Sequence, residues 1–197
     1  MKRPPCSDRA KCARIQAGEI EMNKKYSEYL KQIIDDSMKN TLGHSDKEIS
    51  DFFNKYKISY NDSYAFFLKY YGNDYIKDSY YYRSKDDKYE MGILFGLDTE
   101  NGNICKEIEN NKDFLPDFVI PIIAMPGGDF VCLDKNKGSI YLWFHEKDSD
   151  NLLFIEKDFE SFILNFTEIE ENSNVKPVDI TIDKSFDALL REAAKKI

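Results

Sequence analysis

Few residues of this 197-residue chain could do chemistry. Its imidazoles are His44 and His145, and its thiols are Cys6, Cys12, Cys105 and Cys132. General acid–base work needs a side chain that titrates near neutrality and a second group to orient it. His145 precedes Glu146, but both fall at the end of a predicted strand, where neighbouring side chains point to opposite faces, so the two are expected not to pair. An enzyme using His145 with Asp134 would need both side chains in one pocket. Asp129 and Asp134 bracket a predicted strand at an odd separation, which turns them to opposite faces and argues against a shared metal. Pro126, Gly127 and Gly128 lead into a strand and not a helix, so no row of aligned N–H groups awaits an anion and a tight turn is the simpler reading. Cys132 lies within an apolar strand and is expected to be a buried thiol. Cys6 and Cys12 have no His nearby to complete a zinc set, and four irregularly spaced cysteines make no disulfide framework. Neither a Gly-x-Ser-x-Gly elbow, a His-Glu-x-x-His helix nor a Walker sequence occurs. The expectation is therefore no catalytic residue, no metal and no cofactor.

The elements that would position these residues follow from periodicity. From Asn23, the residues Tyr26, Tyr29, Leu30, Ile33, Ile34 and Met38 recur at helical spacing, with Gly43 as the stop. A capping box, Ser45 with Glu48, opens a second helix whose stripe is Ile49, Phe52, Phe53 and Tyr56. Asn61 or Asp62 caps a third, which turns Phe66, Phe67 and Tyr70 inward and ends at Gly72 in a left-handed conformation. Alternation of period two then predicts strands over 79–83, 91–97, 118–124, 130–134 and 140–145. Asp134 to Gly138 reads as a hairpin turn. On the strand after it, Ile140, Leu142 and Phe144 face one side, while Tyr141, Trp143 and His145 face the other. A helix from Asp158 sets Phe159, Phe162, Ile163 and Phe166 against the sheet. The run Tyr80, Tyr81 and Tyr82 is read as packing and not as a binding platform.

Residues 1–22 form a basic leader, 23–170 a single domain, and 171–197 a polar linker and an amphipathic helix bearing Phe186, Leu189, Leu190, Ala193, Ala194 and Ile197. A hydrophobic fraction of 42% is enough to drive folding. Counting 28 Lys plus Arg against 36 Asp plus Glu gives a net charge of -8. That excess disfavours nucleic acid or an anionic membrane as partner and favours a basic protein. With neither an apolar signal core nor a run of about 18 apolar residues, a cytosolic location is expected.

Pro121-Ile122-Ile123-Ala124, Gly127-Gly128-Asp129-Phe130-Val131-Cys132-Leu133-Asp134, Gly138-Ser139-Ile140-Tyr141-Leu142-Trp143-Phe144-His145-Glu146 and Asp158-Phe159-Glu160-Ser161-Phe162 follow one another in an order that resembles the SUKH superfamily, home of the fungal Smi/Knr regulators. Gly72, after the third helix, and Gly92 and Gly96, around a strand, sit where that family also places glycines. Departures are the order Gly72-Asn73 in place of Asn-Gly and the extensions at both ends. The resemblance implies an α+β fold, a central twisted antiparallel sheet with helices packed against it, in which Gly72, Gly92, Gly96, Pro121, Gly128, Leu133, Gly138, Phe159 and Phe162 are structural. It implies a bacterial immunity protein that binds and neutralises a cognate protein toxin by occlusion, a basic nuclease being the electrostatically favoured kind. Asp129, Asp134, Tyr141, Trp143 and His145 are the candidate contact residues. A signalling scaffold of the Smi/Knr type is the non-enzymatic alternative.

Overall fold

A computed structural model describes residues 24–35, 43–84, 87–97 and 102–169. The leader, Met38, and the linker and helix expected over 171–197 lie outside them. Helix α1 (Lys24–Ile33) buries Tyr26, Leu30 and Ile33. It stops sooner than its periodicity predicts, because Ile34 leaves the helix to bridge Ile76, and Asp35 N–H donates to Tyr75 C=O at 2.9 Å. Helix α2 (Asp46–Tyr56) carries the capping box as expected: Ser45 N–H donates to the Glu48 carboxylate at 2.8 Å while Glu48 N–H donates to the Ser45 hydroxyl. The Ser45 hydroxyl also donates to the Glu48 carboxylate at 2.7 Å, and that bond, followed by the one from Ser45 N–H, holds the Glu48 carboxyl below its usual pKa.

Helix α3 (Asp62–Tyr71) is capped by Asn61, whose side chain accepts from Tyr64 N–H. Its buried face is Tyr64, Ala65, Phe67, Leu68 and Tyr71, rotated from the expected stripe, so that Tyr70 is 50% exposed and Phe66 only partly buried. The expected left-handed stop at Gly72 is also corrected. Gly72 is extended (φ -62°), and Asn73 takes the positive φ of 69°. Gly72 is needed for a different reason: a Cβ there would stand 3.0 Å from Gly96 Cα, and one on Gly96 would meet Asn73 Oδ1 at 2.7 Å. Two backbones touch at this point, and the Asn73 side chain seals it by accepting from Gly96 N–H at 2.8 Å.

Strands β1 (Tyr80–Ser84) and β2 (Asp87–Tyr89) form a hairpin. The stretch predicted as a strand over 91–97 instead makes isolated bridges, Ile93 to Tyr75 and Leu94 to Ile123, and is a connecting ribbon along a sheet edge. Helix α4 (Ile104–Asn111), which the sequence reading lacked, follows with Asn103 as its cap. Then come β3 (Val119–Ala124), β4 (Phe130–Asp134), β5 (Ile140–Trp143) and β6 (Leu152–Glu156), a four-stranded antiparallel sheet in that spatial order. Helix α5 (Phe159–Leu164), capped by Asp158, leads into β7 (Phe166–Glu168), which pairs with β1. The molecule is α+β, its antiparallel strands divided between sheets β2-β1-β7 and β3-β4-β5-β6.

The main core lies between the helices and the inner face of the four-stranded sheet. Ile120, Val131, Leu133, Ile140 and Leu142 from the sheet meet Tyr64, Phe67, Phe159 and Phe162 from α3 and α5. Tyr80 and Tyr82 join that cluster and Tyr81 is buried beside the Lys88 ammonium, so the tyrosine run is packing, as expected.

Candidate functional site

Pleat alternation sends every second side chain of the four-stranded sheet away from the helices. On this outer face, paired registers line up Phe130 with Trp143 and Leu152, and Cys132 with Tyr141 and Phe154. The predicted split of β5 is therefore observed. Trp143 is 6% exposed and packs with Leu115, Val119 and Cys132 in a second small core, its ring stacked on Phe130 at 5.7 Å between centroids. Burial pushes the Cys132 thiol far above its ordinary pKa, so it is inert. The segment carrying Leu115 covers this half of the face; among the described residues nothing covers the other half, where Phe118 and Phe154 are exposed.

The open half is a row of three aromatic rings. Tyr141 stands edge-on to Phe118 at 6.2 Å and to Phe154 at 5.6 Å, and Phe154 is 54% exposed. Beside the row, Phe118, Tyr141, Asp134, Asn136 and Lys137 line a concavity of about 320 Å³. Asp134 was expected to contact a partner directly, but it is 3% exposed and its Oδ1 accepts from Asn136 N–H at 2.8 Å and Lys137 N–H at 2.9 Å. It shapes the hairpin from beneath. Gly138 completes the turn at φ 74°, and Ser59 N–H donates to Lys135 C=O, which braces the loop against the segment before α3.

Asp129 and His145 meet at the opposite end of β4 and β5. Asp129 Oδ1 accepts from His145 N–H at 2.9 Å and lies 2.8 Å from His145 Nδ1. An ionised carboxylate only accepts, so Nδ1 carries the proton and Nε2 faces outward. The geometry behind the expectation for His145 and Glu146 differs, since β5 ends at Trp143 and the chain turns, bringing Glu146 Oε1 to 3.8 Å from His145 Nε2, a separation too long for a hydrogen bond. The ring rests over Gly128, whose φ of 97° and that of Gly127, 87°, make the tight turn foreseen there.

Asp134 pairs with the start of β3, and His145 lies past the far end of β5. His145 sits on Asp129, five residues from Asp134, so at about 3.4 Å per residue the two are separated by more than the length of β4, on the order of 17 Å, and share no pocket. His145 has an oriented imidazole, but what meets its Nε2 among the described residues is a solvent-exposed carboxylate and no hydroxyl or thiol. Such a pair suits a charged rim contact. Among the described residues no group of three or more His, Cys, Asp and Glu side chains could hold a metal ion, and no helix is long and apolar enough to cross a membrane.

The residues that the sequence resemblance marked as structural are placed as follows. Gly72 and Gly96 allow the close approach described above, and a Cβ on Gly92 would meet Ala124 C=O at 2.9 Å. Pro121 faces Cys132 across β3 and β4 just before a register shift, Leu133 is fully buried, and Phe159 and Phe162 pack beneath the sheet. Sequence reasoning missed Phe118 and Phe154 as surface residues. Phe154 lay within the apolar run Leu152 to Ile155, where a β-strand signal was present without alternation.

Comparison with known proteins bears on what this frame is. The chain is 32% identical over 108 residues to the SPbeta prophage-derived uncharacterized protein YokK of Bacillus subtilis (strain 168), an alignment that takes in 53% of this chain and 51% of that protein. The chain thus spans about half the length of that relative. The family model for the SMI1 / KNR4 family (SUKH-1) matches residues 43–165, a span that runs from the cap of α2 to the end of α5 and includes the whole outer sheet face. With more than half of its length matched, the chain belongs to the SMI1 / KNR4 family (SUKH-1).

Proposed function

We propose that this chain is an immunity protein that neutralises a protein toxin by covering it, and that the open half of the outer sheet face is where it does so. The observation that carries this reading is the aromatic row on a four-stranded sheet, in which Phe118 and Phe154 are exposed and Tyr141 stands half-buried between them. Aromatic side chains held by strands lose little entropy on binding and are the usual anchors of protein interfaces. The concavity beside Tyr141 offers a place for a partner side chain. Asp129 and His145 supply a charged rim at one end, while Trp143 anchors the covered half of the same face and Asp134 holds the hairpin turn. An acidic chain of net charge -8 fits a basic partner such as a nuclease domain.

Family membership supports the immunity role, and the prophage origin of the relative fits a protein of genetic conflict. The test is to sequence the neighbouring genes for a large protein with a C-terminal toxin domain and to co-express that domain with this chain. A stable complex and restored growth are expected, with Tyr141→Ala plus Phe154→Ala weakening the complex at least about thirtyfold, the effect of losing two interface anchors of about 1 kcal/mol or more each. Absence of a complex, or full affinity in the double variant, would contradict the reading.

A further inference from the structure

A sheet edge leaves backbone donors and acceptors unpaired, and proteins ordinarily blunt it with charge, brevity or a covering segment. The other edges here are managed that way. Along β3, Gly92 N–H donates to Ala124 C=O at 2.8 Å, and Phe95 N–H donates to Ile122 C=O at 2.9 Å. β2 is three residues long with Asp87 and Lys88 exposed, and β7 is equally short and ends in Glu168. β6 differs. It is the outermost strand of its sheet, five residues long, and it carries no charge from Leu152 to Ile155. Leu153, directed to the inner side, is 40% exposed, and Phe154 projects from the outer side. Its far end is tied down, because the Glu156 carboxylate accepts from Tyr82 O–H at 3.2 Å and from the Asn165 amide. Among the described residues no strand pairs with the edge from Leu152 to Ile155.

The turn that leads into this edge is acidic. Glu146, Asp148 and Asp150 are exposed there, and the one cation of the turn, Lys147, sits over the Phe144 ring at 4.0 Å. An occupant must therefore offer backbone to the strand and positive charge to its leading end. We infer that β6 takes an extended segment of the protein partner as a fifth strand, with Lys or Arg side chains of that segment meeting Asp148 and Asp150. Main-chain pairing supplies the attachment, and the alternating side chains of the added strand rest on Leu153 from one face and on Leu152 and Phe154 from the other. This rests on the partner being a protein, as proposed above, and adds the atoms that it grips.

The test uses the full chain and two synthetic peptides of alternating Val and Thr, one ending in Lys-Lys and the other in Glu-Glu. Hydrogen exchange is followed at the amides of Leu152 and Phe154, which alternate with the Leu153 amide that faces β5, and Trp143, the chain's single Trp on the adjoining strand, reports binding by fluorescence. The lysine peptide is expected to slow exchange at these two amides at least about tenfold and the glutamate peptide to leave it unchanged. Leu153→Lys should abolish the effect with the melting temperature retained; if that variant does not fold, Leu153→Thr, which keeps a good strand former, should weaken it. Protection elsewhere, equal action of the two peptides, no binding, or an edge already slow to exchange in the free chain would overturn the inference, the last because the chain itself or a second copy would then be the occupant. The toxin domain serves as a second arm. A complex that forms with these amides unprotected removes the added strand and leaves the immunity reading intact, whereas failure of any complex to form removes that reading while the peptides still judge the edge.

Discussion

Trp143 and Phe154 stand on the same face of one sheet, and they should behave oppositely on truncation. Trp143→Ala empties a small closed core and is expected to cost about 3–5 kcal/mol, read as a lowered urea midpoint. Phe154→Ala removes a ring that is more than half in water and should change stability by within about 0.5 kcal/mol. Equal losses would mean that the open half of the face is covered in solution. Buried protons make a second prediction. Desolvation pushes the Tyr26, Tyr64 and Cys132 groups up from their ordinary values, and burial takes Tyr60 to about 12. Above about pH 9 the unfolded chain gives up protons that the folded chain keeps, so the slope of stability with pH is negative there. Stability from these groups should be complete below that point and decline as the pH climbs towards the folded values, measured as urea midpoints across the alkaline range. At this scale the sequence was informative about alternation along β5 and about the inert Cys132. It said less about Asp134, because a buried carboxylate that serves backbone N–H groups and an exposed one that serves a partner have the same spacing in a strand-turn pattern.

Helices α2 and α3 were legible because their signals are local. Ser45 and Glu48 cap each other within one turn, and Ser45→Ala should therefore cost about 1 kcal/mol in a thermal or urea melt. The rotation of α3 was not legible, since Phe66, Tyr70 and Tyr71 are all aromatic and only the packing of Phe67 and Tyr64 against α5 selects the face that turns inward. Helix α4 has a single fully buried residue, Ile104, so its periodic signal is thin. β6 shows no alternation because both of its sides are partly apolar, which hides it from a period-two reading. The 91–97 ribbon was mistaken for a strand because Gly92 and Gly96 let it lie against other backbones at isolated points. Gly96→Ala tests that contact: its methyl has no room beside Asn73 Oδ1 and the Gly72 carbonyl carbon, and a loss of about 1–3 kcal/mol is expected from the urea midpoint. A neutral outcome would show that the α3 terminus and the ribbon do not touch in solution.

For the whole molecule, the ordered combination of short motifs told more than any one of them, since the fold needs a bulge, a hairpin and two glycine contacts to occur in sequence. What it presents is a braced sheet with helices on one side and aromatic rings on the other, and a net charge of -8. Association with a basic partner should slow as salt is raised, because the attraction is screened within about 8 Å at physiological ionic strength. The central claim, that the chain acts by occupying its target and not by transforming it, is tested most directly by titrating the full chain into a fixed amount of the toxin domain and measuring residual toxin activity. Occlusion predicts a linear fall that ends at one chain per toxin domain, with activity recovered when the complex is separated. Complete inactivation by a small fraction of an equivalent, or loss that persists after separation, would contradict it.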